Sequence, residues 1–338
     1  MRTPFFYMLS AILLLFSCSQ MPKQAFPEVK DISEYEQTQF LPTLEHRIST
    51  DTNSVYCATL LFAWDEARNI IGAPLSIPEE YQDLILLNAS TSYRNVLKDN
   101  EYKVKGELQG DLITARAEFD KSLPFPCELQ KFKNRLTFGG QKVAAFGVAG
   151  CDRDEMTNIV DILYYENDDN FIIKLAPTDT EHEIILFKTG ETYTTMAEMV
   201  AASDSLIKIG KQESVVDSTR WKYQFEDDDM VMIPDMSFNI SADFNKLINN
   251  TFTAKHGSYR IIKAWERIAF LLNETGAKIE SEAAVEMVLE CLELERPVRH
   301  EPKRMIFDKP FFLMLHRTDA QYPYCCMHLV NSELMVKE

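Results

Sequence analysis

Glycine and proline are both scarce in this chain of 338 residues, at 11 and 14. That scarcity excludes collagen-like and low-complexity architectures. Positive charge is in deficit as well. Lys and Arg total 35 against 52 Asp and Glu, the formal charge is −17, and no basic block offsets it. A phosphate backbone attracts the opposite sign, so no nucleic-acid partner is expected. Apart from one short N-terminal stretch, no apolar run approaches the length of a membrane-spanning helix. The phosphate-loop, dinucleotide, GxSxG, HExxH and CxxC patterns are all missing. The 6 histidines are scattered without a Cys/His cluster, and Glu226 to Asp229 lacks the spacing and glycine of a calcium loop. No metal and no cofactor is therefore expected. Nothing in the spacing nominates a nucleophile with its base, and the chain is not read as an enzyme.

What is present is the composition of a globular protein with a substantial core: 46% hydrophobic and 26% charged residues. The N-terminus reads as a targeting segment, with Arg2 ahead of the apolar stretch Phe5 to Phe16. Leu15-Phe16-Ser17-Cys18 then resembles the bacterial lipobox, in which the cysteine becomes lipidated. The expectation is a signal peptide over 1–17, a lipid-anchored tether over 18–39 and one domain over 40–338. The resemblance implies a place in the cell envelope, on a periplasmic or cell-surface face. Beyond Cys18, Cys57, Cys127, Cys151, Cys291, Cys325 and Cys326 permit disulfides in an exported chain without fixing their pairing. Cys325 and Cys326 are neighbours in an expected strand, so their side chains face opposite ways.

Ala58, Leu61 and Phe62 predict an amphipathic helix over 54–67, followed by a short buried strand at Asn69-Ile70-Ile71. Ser76, Pro78 and Glu79 read as a capping box opening a second helix that ends near Thr91. Tyr102 to Ala117 suggests a hairpin. Strands are expected at 142–148, 171–175, 183–187, 230–233, 236–240, 267–273, 311–315 and 324–330, and helices at 154–164, 195–202 and 242–249. Irregular interleaving of the two types gives an α+β fold with mixed β-sheets and surrounding helices.

The C-terminal third carries a resemblance. Phe307-Asp308-Lys309-Pro310-Phe311-Phe312-Leu313-Met314-Leu315 resembles the serpin C-terminal signature, and Tyr324 to Asn331 resembles the final serpin strand. Asn69 to Ile77 resembles the family's strand running into an early helix, with Ser76 as its shutter serine. Ala115 to Phe119, Phe125-Pro126 and Phe138 to Val143 resemble a strand and the loop after it. Ile233 to Phe238 resembles a strand before a short helix, and Lys263 to Phe270 the strand leading into the reactive loop. The resemblance implies a serpin-like fold and an inhibitor of serine- or cysteine-type proteases. The alternative is a non-inhibitory serpin-like binding or structural lipoprotein.

Glu280, Ser281, Glu282, Ala283, Ala284 and Val285 resemble the inhibitory hinge, where small alternate side chains let the cleaved loop enter a sheet. Family spacing then puts the scissile bond at Leu294-Glu295, with Arg296 or Arg299 as alternatives. Three departures stand out. Much of the helical region between Thr91 and Leu112 is missing, Glu266 replaces the family's histidine, and Ala73 replaces its first serine.

Overall fold

A computed structural model describes residues 25–110, 112–149, 158–226, 228–255, 257–278 and 300–338. In chain order the elements begin with β1 (Lys30–Asp31), β2 (Thr38–Leu41), β3 (Asn53–Cys57), α1 (Thr59–Ile71) and α2 (Gln82–Ala89). Next come β4 (Tyr102–Gln109), β5 (Leu112–Phe119), β6 (Leu123–Pro124), β7 (Gln130–Phe138), β8 (Gln141–Ala149) and β9 (Val160–Asn167). Then follow β10 (Asn170–Leu175), β11 (His182–Lys188), α3 (Met196–Glu213), β12 (Met230–Pro234), β13 (Met236–Asp243), β14 (Thr251–Ala254) and β15 (Gly257–Arg260). The last are β16 (Trp265–Asn273), β17 (Gly276–Lys278), β18 (Arg304–Ile306), β19 (Phe311–Arg317) and β20 (Cys325–Leu329).

Strands dominate, as the α+β expectation required, and they form mixed sheets. The largest has seven strands in the order β2-β3-β20-β19-β11-β10-β9. Its central members read as continuous apolar runs, Phe-Phe-Leu-Met-Leu and Cys-Cys-Met, because both faces are covered. β19 and β20 pair from Phe311↔Leu329 to Leu315↔Cys325 as buried neighbours. A second sheet runs β1-β13-β16-β17-β6, and a third β18-β12-β8-β7. β4-β5 and β14-β15 are separate hairpins.

Several local readings are corrected. The first helix begins after Cys57, not at Ser54. Asn53–Cys57 is wholly buried and pairs with β2 on one side and β20 on the other. Asn69 to Ile71 is the last turn of α1, not a strand. The stop comes from Gly72, whose left-handed φ of 64° lets its N–H close on the Arg68 carbonyl. The Ser76 capping box does not form. The backbone of Ser76 is taken by Thr253, and α2 starts only at Gln82 with no side-chain cap.

β9 replaces the C-terminal part of the expected helix at 154–164. Tyr164 and Tyr165 sit in a strand whose Val160, Ile162 and Tyr165 are buried. Ala242 and Asp243 finish β13, and turns follow them instead of a helix. Part of the stretch expected as a tether packs on the sheets. Lys30 and Asp31 pair in parallel with Ile240 and Ser241, and Asn239 donates to the Pro27 carbonyl.

α3 follows its sequence signal and exceeds it. The Thr195 hydroxyl accepts from the Glu198 N–H at 3.2 Å, while the Glu198 carboxylate takes the Thr194 N–H at 2.7 Å. This reciprocal cap opens a helix of 18 residues.

Candidate functional site

A cleft lies beside β16. Alternation points Glu266, Ile268, Phe270 and Leu272 inward. One edge of β16 is paired with β13 from Trp265↔Asp243 to Leu272↔Met236. The other edge is paired only at Leu271 to Asn273, by β17. From Trp265 to Phe270 that edge meets no strand among the described residues. The strand across from it is β5, which among the described residues pairs with β4 alone. Between β5 and β16 lies a cleft of about 780 Å³ floored by Cys57, Thr59, Leu315, Tyr324 and Cys325.

β17 closes one end. It forms a hairpin with β16 in which Asn273 faces Gly276, and it pairs on its other side with β6. The turn is fixed by Asn273 Oδ1, which accepts from the N–H and hydroxyl of Thr275 at 3.0 and 2.7 Å. Gly276 has a φ of 131°, and a Cβ there would stand 2.5 Å from the Leu123 carbonyl oxygen. β17 thus runs antiparallel to β16 as far as Lys278, beside the start of the open edge.

The chain returns on a firm anchor. The Lys303 ammonium is 1% exposed and lies 2.7 Å from an Asp229 carboxylate that is 2% exposed. The same carboxylate accepts the Lys303 N–H, and Arg304 N–H donates to Asp168. Both ends of 279–299 are therefore tied to the core.

Glu266 is the chemically unusual wall residue. It is buried, Thr59 donates to its Oε1 at 2.6 Å, and its Oε2 makes no hydrogen bond. Burial pushes its carboxyl up to about 7, against the lowering effect of the Thr59 and Leu60 hydrogen bonds. At the mouth, Lys121 binds Glu101, which also meets His182 and Arg317. Burial alone would raise the Glu101 carboxyl, but hydrogen bonds from Lys121, the Lys98 N–H and His182 bring it down to about 2.

Ser76 lies on the loop between α1 and α2, bridged to β14, and does not line this cleft. Cys18 falls outside the described residues, as do the hinge residues Glu280 to Val285 and the scissile candidates Leu294, Glu295, Arg296 and Arg299. Sequence reading missed Asn53. Its Oδ1 accepts the Val330 and Asn331 N–H groups at 2.9 and 3.1 Å, and its Nδ2 donates to Asn331 Oδ1 at 2.7 Å. A buried Asn opening an apolar strand was the available signal.

No family model and no curated protein matches the sequence. Among solved structures the chain is similar to a serpin from the trematode Schistosoma haematobium, at 10% identity over 83% of this chain and 94% of that one, with a TM-score of 0.44. It is similar to the thermophilic serpin Tengpin in the native state, at 9% identity over 90% and 100%, also with a TM-score of 0.44. A third likeness is to Serpin48 of the insect Tenebrio molitor, at 14% identity over 75% and 65%, with a TM-score of 0.32. Identities this low and superposition this partial do not establish membership of a family.

Proposed function

We propose that the chain is a serpin-like inhibitor of serine- or cysteine-type proteases, with 279–299 as the bait loop and the β16 cleft as its receptor after cleavage. The observation that carries this reading is the register of the β16-β17 hairpin. Leu271 faces Lys278 and Leu272 faces Ala277. Continued in the same register, Ser281 falls opposite Ile268, Ala283 opposite Glu266 and Ala284 opposite Trp265. Ala277 is buried, and alternation gives Ser281, Ala283 and Val285 its face. The smallest of these, Ala283, would then meet the buried carboxyl, where a larger side chain would overpack.

Cleavage at Leu294-Glu295, or at Arg296 or Arg299, would free the loop to extend β17 down the open edge. A Leu at the cut suits a chymotrypsin- or elastase-like pocket, and Arg a trypsin-like one. The second reading, a non-inhibitory serpin-like lipoprotein, is favoured by one observation: a carboxyl that resists ionisation stands where the resemblance expects a histidine. Incubation with a panel of serine and cysteine proteases separates the two. An inhibitor leaves an SDS-resistant covalent adduct, and a binding module is only cut or ignored.

The anchoring proposal is separate and rests on Leu15-Phe16-Ser17-Cys18. Cys18→Ala should move the protein out of the membrane fraction, and persistence there would end that proposal.

A further inference from the structure

Two strands of the large sheet place a pair of cysteines face to face at the bottom of the cleft. Cys57 of β3 is the direct cross-strand partner of Cys325 of β20. The hydrogen-bond phase of β3 follows from two contacts. Asn53 N–H donates toward β2, to the Gln37 carbonyl at 2.8 Å, and Ala58 N–H donates toward β20, to the Tyr324 carbonyl at 3.0 Å. Backbone groups alternate sides along a strand, so Cys57 points its N–H and C=O at β2. Cys57 and Cys325 therefore form a non-hydrogen-bonded pair, the narrow kind, with Cα atoms roughly 4.5 Å apart. That separation falls within the span a disulfide bridges, roughly 4.4–6.8 Å.

Both side chains must project from the same face of the sheet, and both line the cleft floor. Both cysteines carry free thiols. Cys326 faces Tyr56 and is absent from the cleft lining, so alternation removes it as a competitor. Cys57 and Cys325 are only 5% and 3% exposed, and the cleft is their route to solvent.

We propose that Cys57 and Cys325 form a redox-active thiol pair that a low-molecular-weight disulfide, such as glutathione disulfide, converts into a cross-strand disulfide. In the first step the Cys57 thiolate, its proton lost to solvent, attacks one sulfur of the oxidant and expels a thiolate. The Cys325 sulfur then attacks the mixed disulfide at Cys57, loses its proton and expels the second thiolate. Two protein thiols are oxidised to one S–S bond, and the oxidant's S–S bond is reduced to two thiols. Its neighbour Cys57 and burial both push the Cys325 thiol up, which makes Cys325 the poorer first attacker on the external oxidant. The product ties β3 to β20 beneath Thr59 and Glu266, and it closes a loop over most of the chain.

The test uses the full chain, equilibrated in glutathione buffers of graded ratio, quenched with an alkylating agent and mapped by proteolysis and mass spectrometry. The expected result is one peptide pair joined through Cys57 and Cys325, about 2 Da lighter than the sum of its reduced halves. It should persist in Cys326→Ser and vanish in Cys57→Ser. Two results overturn the proposal: Cys57 and Cys325 both alkylated at the most oxidising ratio, or either joined to a different cysteine. Because the unaltered chain gives the decisive map, a variant that fails to fold does not blunt the test.

Discussion

Replacing Glu266 by Gln should make the protein more stable, and increasingly so as pH rises. Gln keeps the shape and still offers an oxygen to the Thr59 hydroxyl, but it carries no charge to desolvate. The Glu266 carboxyl is pushed from its ordinary 4.5 to about 7, chiefly by burial. A raised carboxyl pKa means that folding takes up a proton. The neutral form is tolerated at low pH, and stability falls as pH rises from the unfolded pKa through the folded one. The gap corresponds to about 3 kcal/mol at about pH 8 and about 1 kcal/mol at about pH 5. For a chain this long the larger figure corresponds to a melting shift of about 5 °C. Asp235, also pushed up to about 7 by burial, stays in place, so the variant should lose only part of the alkaline slope. His328, held down to about 4 by burial, and Glu101, held down to about 2, shape the acid side in both proteins. Calorimetric melts of both proteins across this range measure the difference directly. A gain of the same size at both ends, or no gain at the alkaline end, would refute the assignment of Glu266 as a buried carboxyl that resists ionisation.

Two further substitutions test the surrounding architecture. Gly210→Ala usually stabilises a helix interior by roughly 0.5–1 kcal/mol. At this position in α3 the new Cβ would overlap the Leu163 carbonyl oxygen of β9, so a urea titration should show destabilisation; an increase in stability would contradict the packing of α3 on β9. Lys303→Met removes one partner of a buried ion pair and should cost about 3–5 kcal/mol, while quickening proteolysis of 279–299. Unchanged stability and cutting rate would show that this anchor does not hold the loop's C-terminal end.

Legibility of the fold followed the strength of local signals. Phe311 to Leu315, Phe171 to Leu175 and Glu183 to Phe187 were readable because a strand buried on both faces must be continuously apolar. The hairpin at 102–117 announced itself by alternation around Gly110, which takes a left-handed φ of 59°. The first helix was displaced because Asn53 to Cys57 is too short and mixed to separate by periodicity from the helix that follows. Its true end was marked by Gly72, a stop signal outweighed by the apolar Ile70-Ile71 pair. Tertiary contact decided the rest. Ser76 was spent on Thr253, and β9 was drawn into a sheet by β10. The cleft could not be read at all, since it is made by the absence of pairing between β5 and β16, which lie far apart in sequence. Glu266 was visible as an oddity in its strand, and its buried, poorly bonded state needed the fold.

The central claim is that the chain beyond Lys278 can enter the cleft as a strand along β16. It is tested most directly by cutting the native protein once within 289–304 and comparing the melting temperatures of cut and intact forms. Insertion predicts a marked rise after cleavage, because the open edge of β16 gains a full set of backbone hydrogen bonds and Ser281, Ala283 and Val285 become buried. Ala283→Arg, which puts a long charged side chain against Glu266 and the cleft floor, should remove that rise while leaving the intact melt unchanged. A cut protein that melts at or below the intact temperature, with and without the substitution, would contradict the account.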